Sequence, residues 1–394
     1  MRSWVLWARR GLAVRLRGNI ARAAARVAIR VLITTVILSE HARHEVPVFG
    51  RALRRFFGRL SCASCIDHTA MGFTTARRLV KKTLFEKETG ALLPSTWRCF
   101  AACLFALYAA SVCAQQLTTL DPHAHYPEGP LWRDGKLFYV EYSDSNVKYW
   151  DGTRTAIYWH RDKCGANSLI PFNGHLLVAC YDDNSVVELD SRGKQVREIR
   201  TDRSGKPFVG PNDFAADDRG GIYFSASGVY DVKAPITGAV LYLSPDGKTV
   251  GEVANTIHYS NGLTLDRDRR HLLVAEMLAG RILSFTVLAD GTLGLRTVWA
   301  RLQDLASPTP HADAYNGPDG LKLGPDGNYY IAQNGSGRVL VVGEDKKLVR
   351  VITVATPYVT NVAFGANGAD TVFITGAFEQ WKPPYPGAVY RWSR

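Results

Sequence analysis

A six-bladed, all-β propeller is the fold class that this sequence predicts, and three observations predict it. One supersecondary phrase recurs six times. Each copy couples short strand signals to a D-G, N-G or D-R-G turn, and the copies recur at about the length of one four-stranded blade. The clearest copy is YSNGLTLDRDRRHLLVAEMLAGRILSF from Tyr259. It reads as strands over Gly262–Leu265, His271–Glu276 and Gly280–Phe285, with the polar amide of Asn261 standing immediately before the first.

The phrase returns from Tyr126, from Gly210 and from Tyr315, with looser copies from Asn167 and Asn361. The matching anchor residues are Glu128, Asn167, Asn212, Asn261, Asp319 and Asn361, at intervals of 39, 45, 49, 58 and 42 residues. About 40–50 residues make one propeller blade, and propellers usually have about 4–8 of them. A solenoid would need helices or a shorter period. Leu117–Leu120 reads as a strand that completes the last blade and closes the ring. Two copies carry insertions between their second and third strands, at Gly228–Thr237 and Gly376–Pro386. A long segment, Leu302–Tyr315, accounts for the widest interval. Long loops at one end of a rigid scaffold are where function concentrates.

The net charge of +12 belongs to one end of the chain. Residues 1–114 carry 19 Lys and Arg against 5 Asp and Glu, while the remaining 280 carry 29 against 31. The repeats are therefore close to neutral, with no basic stripe interleaved with aromatics, which argues against a nucleic-acid partner.

The expected organisation is a basic extension over residues 1–96, a signal-peptide-like apolar segment over 97–114 and the propeller over 115–394. For residues 1–39, rich in Arg and without an acidic residue, two readings stay open: a transit-like leader, or sequence upstream of a true start at Met71 or later. Arg98 followed by the uncharged run Cys99–Ala114 has the form of a secretory signal with cleavage after Ala114; the alternative is a short uncleaved anchor. The expectation is export to a periplasm or the exterior, without a stable membrane span after processing. The pair Arg77–Arg78 lies too far from the apolar run to add weight, and Cys62-x-x-Cys65 lacks the context of a metal or redox motif. After cleavage only Cys164 and Cys180 remain. They fall at the same end of the second copy, where export permits a disulfide, although two separate buried thiols are an open alternative.

In a propeller the first strand of each blade lines the central channel, so the six anchors converge on the axis. Glu, Asn, Asn, Asn, Asp and Asn offer carboxylate and amide oxygens, a set suited to a hard divalent cation. Ca²⁺ comes first, with Mg²⁺, Mn²⁺ and Zn²⁺ as alternatives. Two carboxylates facing a narrow channel would otherwise repel and be desolvated. Any one Asx residue before a strand is more simply a turn former; six in register are harder to explain that way. His123, His125, His258 and His311 lie near the expected mouth. His258, three residues before Asn261, is the best placed to move a proton. Tyr230, Phe378 and Trp381 on the insertions are candidates for lining an apolar pocket, with plain packing of the long loops as an equal alternative.

Four of these stretches resemble the SMP-30/gluconolactonase/luciferin-regenerating-enzyme family of six-bladed propellers. They are E-G-P-L-W at Glu128–Trp132, P-N-D at Pro211–Asp213, S-N-G-L at Ser260–Leu263 and G-P-D-G-L at Gly317–Leu321. The resemblance covers roughly residues 120–394. It implies that Glu128, Asn261 and Asp319 ligate one divalent metal. Asn212 would ligate it or hold its water or substrate, and Asp319 would also serve as general base. It further implies a metal-dependent lactonase or esterase acting on a small lactone or ester, with Asp319 and Asn212 catalytic and Asn212 also facing the substrate; the positions of His258, His311, Tyr230 and Trp381 on the loops add these four as candidate substrate contacts. One departure stands out: sugar-lactone hydrolases of the group often carry Arg two residues before the residue matching Asn212, and here that position is Gly210. Two other readings remain in view: a non-catalytic propeller that keeps a metal for structure, and a carbon–carbon bond former of the strictosidine-synthase kind. Neither a G-x-S-x-G elbow nor an H-E-x-x-H helix occurs, so the sequence signals of a serine hydrolase or zincin are missing.

Overall fold

The computed structural model describes residues 116–307 and 313–394. The expected extension, the apolar segment 97–114 and five of the cysteines lie outside the described residues, as does His311. The described chain folds into six antiparallel sheets of four strands each, the predicted propeller.

The middle strands lack apolar–polar alternation because both faces of each blade are covered by its neighbours. The second strand of blade four, His271–Glu276, reads HLLVAE with almost every residue buried. Leu272 and Val274 enter the cluster shared with blade three, while Leu273 enters the one shared with blade five. Successive side chains of a strand point to opposite faces, so a strand buried on both sides reads as an unbroken apolar run. Four further clusters fill the remaining blade interfaces, giving one core per interface. Each fully buried Leu or Val contributes about 1.5–3 kcal/mol of transfer free energy.

The ring closes as the sequence predicts. Gln116–His125 pairs antiparallel with Pro386–Ser393, from Gln116 opposite Ser393 to His125 opposite Pro386. Blade six is thus built from both ends of the described chain. Around the channel the inner strands are Pro127–Arg133, Ala166–Phe172, Pro211–Ala216, Ser260–Leu265, Pro318–Leu323 and Tyr358–Gly365. Each packs on the next, and the last on the first.

The anchors lie inside these strands, not before them as the turn residues indicate. Asn261 is the second residue of Ser260–Leu265, and Glu128, Asn167, Asn212 and Asp319 hold the same place in theirs. Every inner strand carries a register shift at this point, for example between Ser260 and Leu263 and between Pro318 and Leu321. Such a bulge places an extra residue opposite the partner strand and re-aims its side chain. The glycine after the anchor has its own cause. A Cβ on Gly262 would lie 2.3 Å from the Leu321 amide nitrogen, and one on Gly320 would lie 2.2 Å from Asn361 Oδ1. Neighbouring inner strands approach here too closely for any side chain.

The insertion of blade three runs between Ala226 and Gly238. In blade six the second strand continues to Ala377, so the insertion is shorter than Gly376–Pro386, covering residues 378–385. The segment after blade four opens with a four-residue helix, Leu302–Leu305. Cys164 and Cys180 are joined by a disulfide with an S–S separation of 2.02 Å, tying the entry to blade two to the end of its second strand. Among the described residues no helix is long and apolar enough to cross a membrane.

Candidate active site

The bulged starts of the inner strands bring Glu128, Asn212, Asn261, Asp319 and Asn361 to one end of the channel, each no more than 4% exposed. Glu128 Oε2 accepts from the Gly129 amide at 2.7 Å and from Asn361 Nδ2 at 3.2 Å. Asp319 Oδ2 accepts from Asn334 Nδ2 at 3.0 Å. Asn261 turns its Nδ2 toward Met277 Sδ at 3.4 Å.

What is left over defines the chemistry. Asn261 Oδ1, Asp319 Oδ1 and Asn334 Oδ1 are all buried and without a hydrogen-bond partner. A buried acceptor without a donor costs about 1–3 kcal/mol, so three in one place call for a common partner. Oxygens gathered in this way are the kind of donor set that a hard cation takes. Two carboxylates and two amide oxygens are a set that fits a hard divalent ion, which Glu128, Asn261 and Asp319 would hold with Asn334 beside them.

The electrostatics agree. Burial pushes the Glu128 carboxyl well above its ordinary range, and the nearby charges of Asp319 and Asp213 push it further. Burial likewise raises Asp319 to about 8, with the Asn334 hydrogen bond opposing the rise and the charge of Asp213 adding to it. In the absence of a dication, both groups hold a proton more tightly than an exposed carboxyl does.

Two features were missed in the sequence. Asn334 reads there as part of an N-G-S-G turn, yet it directly follows the second strand of blade five, Tyr329–Gln333. In an antiparallel hairpin the end of the second strand meets the start of the first, so the residues after each second strand belong to the mouth. That rule would have found Asn334 along with Tyr142, Tyr181 and Met277. The second is a third carboxylate in the channel. Asp213 is 1% exposed and is bound by Lys322 Nζ at 2.7 Å, Ser168 Oγ at 2.9 Å and its neighbour's amide, Phe214 N, at 2.8 Å. Lys322 pairs with it, whereas Glu128 and Asp319 have no cationic side chain bound to them among the described residues.

The other candidates separate. His258 lies beside the mouth, its amide bound to Glu276 and its buried Nε2 without a partner. His123 and His125 belong to the closing strand Gln116–His125; His125 is paired with Asp144 at 2.9 Å. Asn167 is buried on its inner strand. Elsewhere, Asp266, Asp268 and His271 also gather potential ligand atoms. That group sits in the turn between the first two strands of blade four, at the opposite end. Both the amide and Nδ1 of His271 bind Asp266 there.

Aromatic rings surround the mouth in a chain of contacts. Tyr385 meets Tyr126 at 5.9 Å and Tyr126 meets Tyr142 at 5.8 Å, measured between ring centroids. Tyr142 leads to Tyr181 at 6.1 Å, which leads to Tyr259 at 6.4 Å. Tyr259 packs on Tyr230 at 4.7 Å, and Tyr230 stacks on Trp381 at 5.9 Å. Trp381 and Tyr385 share the blade-six insertion, so the chain closes into a belt. The sequence singled out Tyr230 and Trp381; the belt joins both. Tyr126 lies close enough to Asp319 and Glu128 for their charges to add to the burial that raises its hydroxyl.

Comparison with known proteins follows this architecture. A protein of Sulfolobus acidocaldarius described as uncharacterized is 28% identical over 280 residues, covering 67% of this chain and 90% of its own. The lactonase drp35 of Staphylococcus haemolyticus is 29% identical over 171 residues, 42% of this chain. The match spans 49% of that lactonase, about half its length. A solved gluconolactonase from Xanthomonas campestris shares the fold at a TM-score of 0.59 and 22% identity, covering 73% of this chain and 92% of its own. The family model of the SMP-30/gluconolactonase/LRE-like region matches residues 126–378. With more than half of its length matched, the chain belongs to the SMP-30/gluconolactonase/LRE-like family.

Proposed function

We propose that the chain is a divalent-metal-dependent hydrolase that opens a small lactone or related ester. The observation that carries this reading is the set of three orphaned oxygens on Asn261, Asp319 and Asn334 beside the raised Glu128 carboxyl. Family membership and the lactonase names among the relatives support it. A regucalcin of Agrobacterium tumefaciens, described as a calcium-binding protein, shares the fold, in keeping with Ca²⁺ as the first choice of ion.

A bound dication would polarise the ester carbonyl and make water a better nucleophile at neutral pH. The protein's own groups then have distinct work. Asp319 keeps one oxygen, Oδ1, unpaired by the protein beside the proposed ion, and a carboxylate stripped of its proton by the dication suits a group that takes the proton of the attacking water. Asn334 fixes the rotation of that carboxylate by holding its other oxygen. Asn212 contributes an amide to the site and orients water or substrate. His258 stands at the mouth for proton exchange, and Tyr230 and Trp381 face the substrate. The Cys164–Cys180 disulfide supports work in an oxidising compartment, in keeping with export.

A pH-stat panel of γ-lactones, δ-lactones and simple esters tests this. Turnover is expected with protein reconstituted with Ca²⁺, and chelation should lower it by about 100-fold or more. Undiminished rates in metal-stripped protein would remove the metal from the chemistry. No turnover of any panel member by reconstituted protein would leave a binding propeller.

A further inference from the structure

The aromatic belt has a bearing on what the site accepts. Three of its tyrosines spend their hydroxyl protons on the protein. Tyr142 donates to Asp182 at 2.9 Å, Tyr259 to the Tyr181 hydroxyl at 2.9 Å and Tyr230 to the Tyr315 carbonyl at 2.7 Å. With those three protons committed, these rings offer a ligand mainly their faces and edges. Gly210 deepens the effect. Its φ is +62°, and a Cβ there would lie 2.8 Å from the Tyr181 ring, so that ring lies against bare backbone where another chain could present a polar side chain. The insertions extend the apolar surface outward. Val229 and Ile236 on one, and Phe378 and Trp381 on the other, are all between 46% and 55% exposed. Large apolar side chains gathered in two loops over a polar channel mark a binding surface.

We propose that this site selects lactones bearing a flat, apolar group, such as a fused benzene ring, over polyhydroxylated sugar lactones. The proposal rests on the lactonase reading, with the lactone carbonyl at the Asn261–Asp319 end and the apolar group against the belt. A polyol would have to give up its water to aromatic faces without recovering hydrogen bonds, which costs about 1–3 kcal/mol for each group left unpaired. A flat ring displaces water from those faces and gains stacking.

Isochroman-3-one and glucono-δ-lactone share a six-membered lactone ring and an alkoxide leaving group, and differ in carrying a benzene ring or hydroxyls. With Ca²⁺-reconstituted full chain, kcat/KM is expected to favour isochroman-3-one by about 10-fold or more. Trp381→Ala should cut that ratio by about 10-fold, mainly through KM. A second readout does not depend on turnover: saturation-transfer NMR with the two corresponding lactams. The benzo-fused lactam should receive strong transfer that Trp381→Ala weakens, and gluconolactam should receive little. Binding of the benzo-fused lactam without hydrolysis of either lactone would sustain this inference while defeating the hydrolase reading. A preference for glucono-δ-lactone, or equal binding of the two lactams, would overturn it. So would a ratio left unchanged in both Trp381→Ala and Tyr230→Leu.

Discussion

Asp319→Asn is expected to lower lactone turnover by about 1,000-fold even when metal is saturating, the scale of losing a positioned general base. The substitution keeps the shape and an oxygen toward the cation. It removes the charge and the basicity of an atom that is buried and unpartnered. Glu128→Gln should behave differently. Its carboxylate is already held by the Gly129 amide and Asn361, so its part is to bind charge. Metal affinity should fall, and added Ca²⁺ should recover part of the activity. Steady-state rates at increasing Ca²⁺ separate the two cases. A fully active Asp319→Asn enzyme would dismiss Asp319 as the base.

The metal-free protein is expected to lose stability as pH rises from about 5 to about 8, and Ca²⁺ to restore it most at the upper end. The direction follows from the raised carboxyls. Asp319 titrates near 8 in the fold against an ordinary value of 3.8. Between those values the folded chain keeps a proton that the unfolded chain has released, so stability falls with pH through that window. Glu128 is raised in the same sense and adds to the slope. A tenfold difference in proton affinity between the folded and unfolded chain is worth about 1.4 kcal/mol, which puts the loss across the window at several kcal/mol. Thermal midpoints of chelated and Ca²⁺-loaded protein at pH 5 and 8 measure it. Asp319→Asn should flatten the chelated curve. A chelated midpoint that does not fall between these pH values would contradict the assignment of buried, metal-seeking carboxyls.

The blades were legible because hairpin chemistry is local. Asp134-Gly135 and Asp326-Gly327 mark turns, and HLLVAE is written for a strand covered on both faces. Closure was legible too, since Leu117–Leu120 is a strand signal left without a blade of its own. Glu128, Asn261 and Asp319 could be placed together once the repeats were aligned, because the fold itself converges them. Other features depend on where strands approach one another. The same D-G pair that turns a hairpin at Asp134 marks a crowded inner strand at Asp319, where Gly320 meets Asn361. Asn334 and the Asp213–Lys322 pair come from hairpin ends and neighbouring blades, contacts that no local motif spells out. The bulges that move the anchors inside their strands leave no distinct residue signature, so the inner strands start earlier than the turn residues indicate.

Calcium binding to chelator-treated protein, followed by titration calorimetry, tests the central claim most directly. The axial site predicts one ion per chain in the wild type. It predicts no such binding in the Glu128→Gln/Asp319→Asn double variant, and binding unchanged by Asp266→Asn in the turn at the far end of the propeller. Wild-type affinity and stoichiometry in the double variant would contradict the account and place the ion elsewhere.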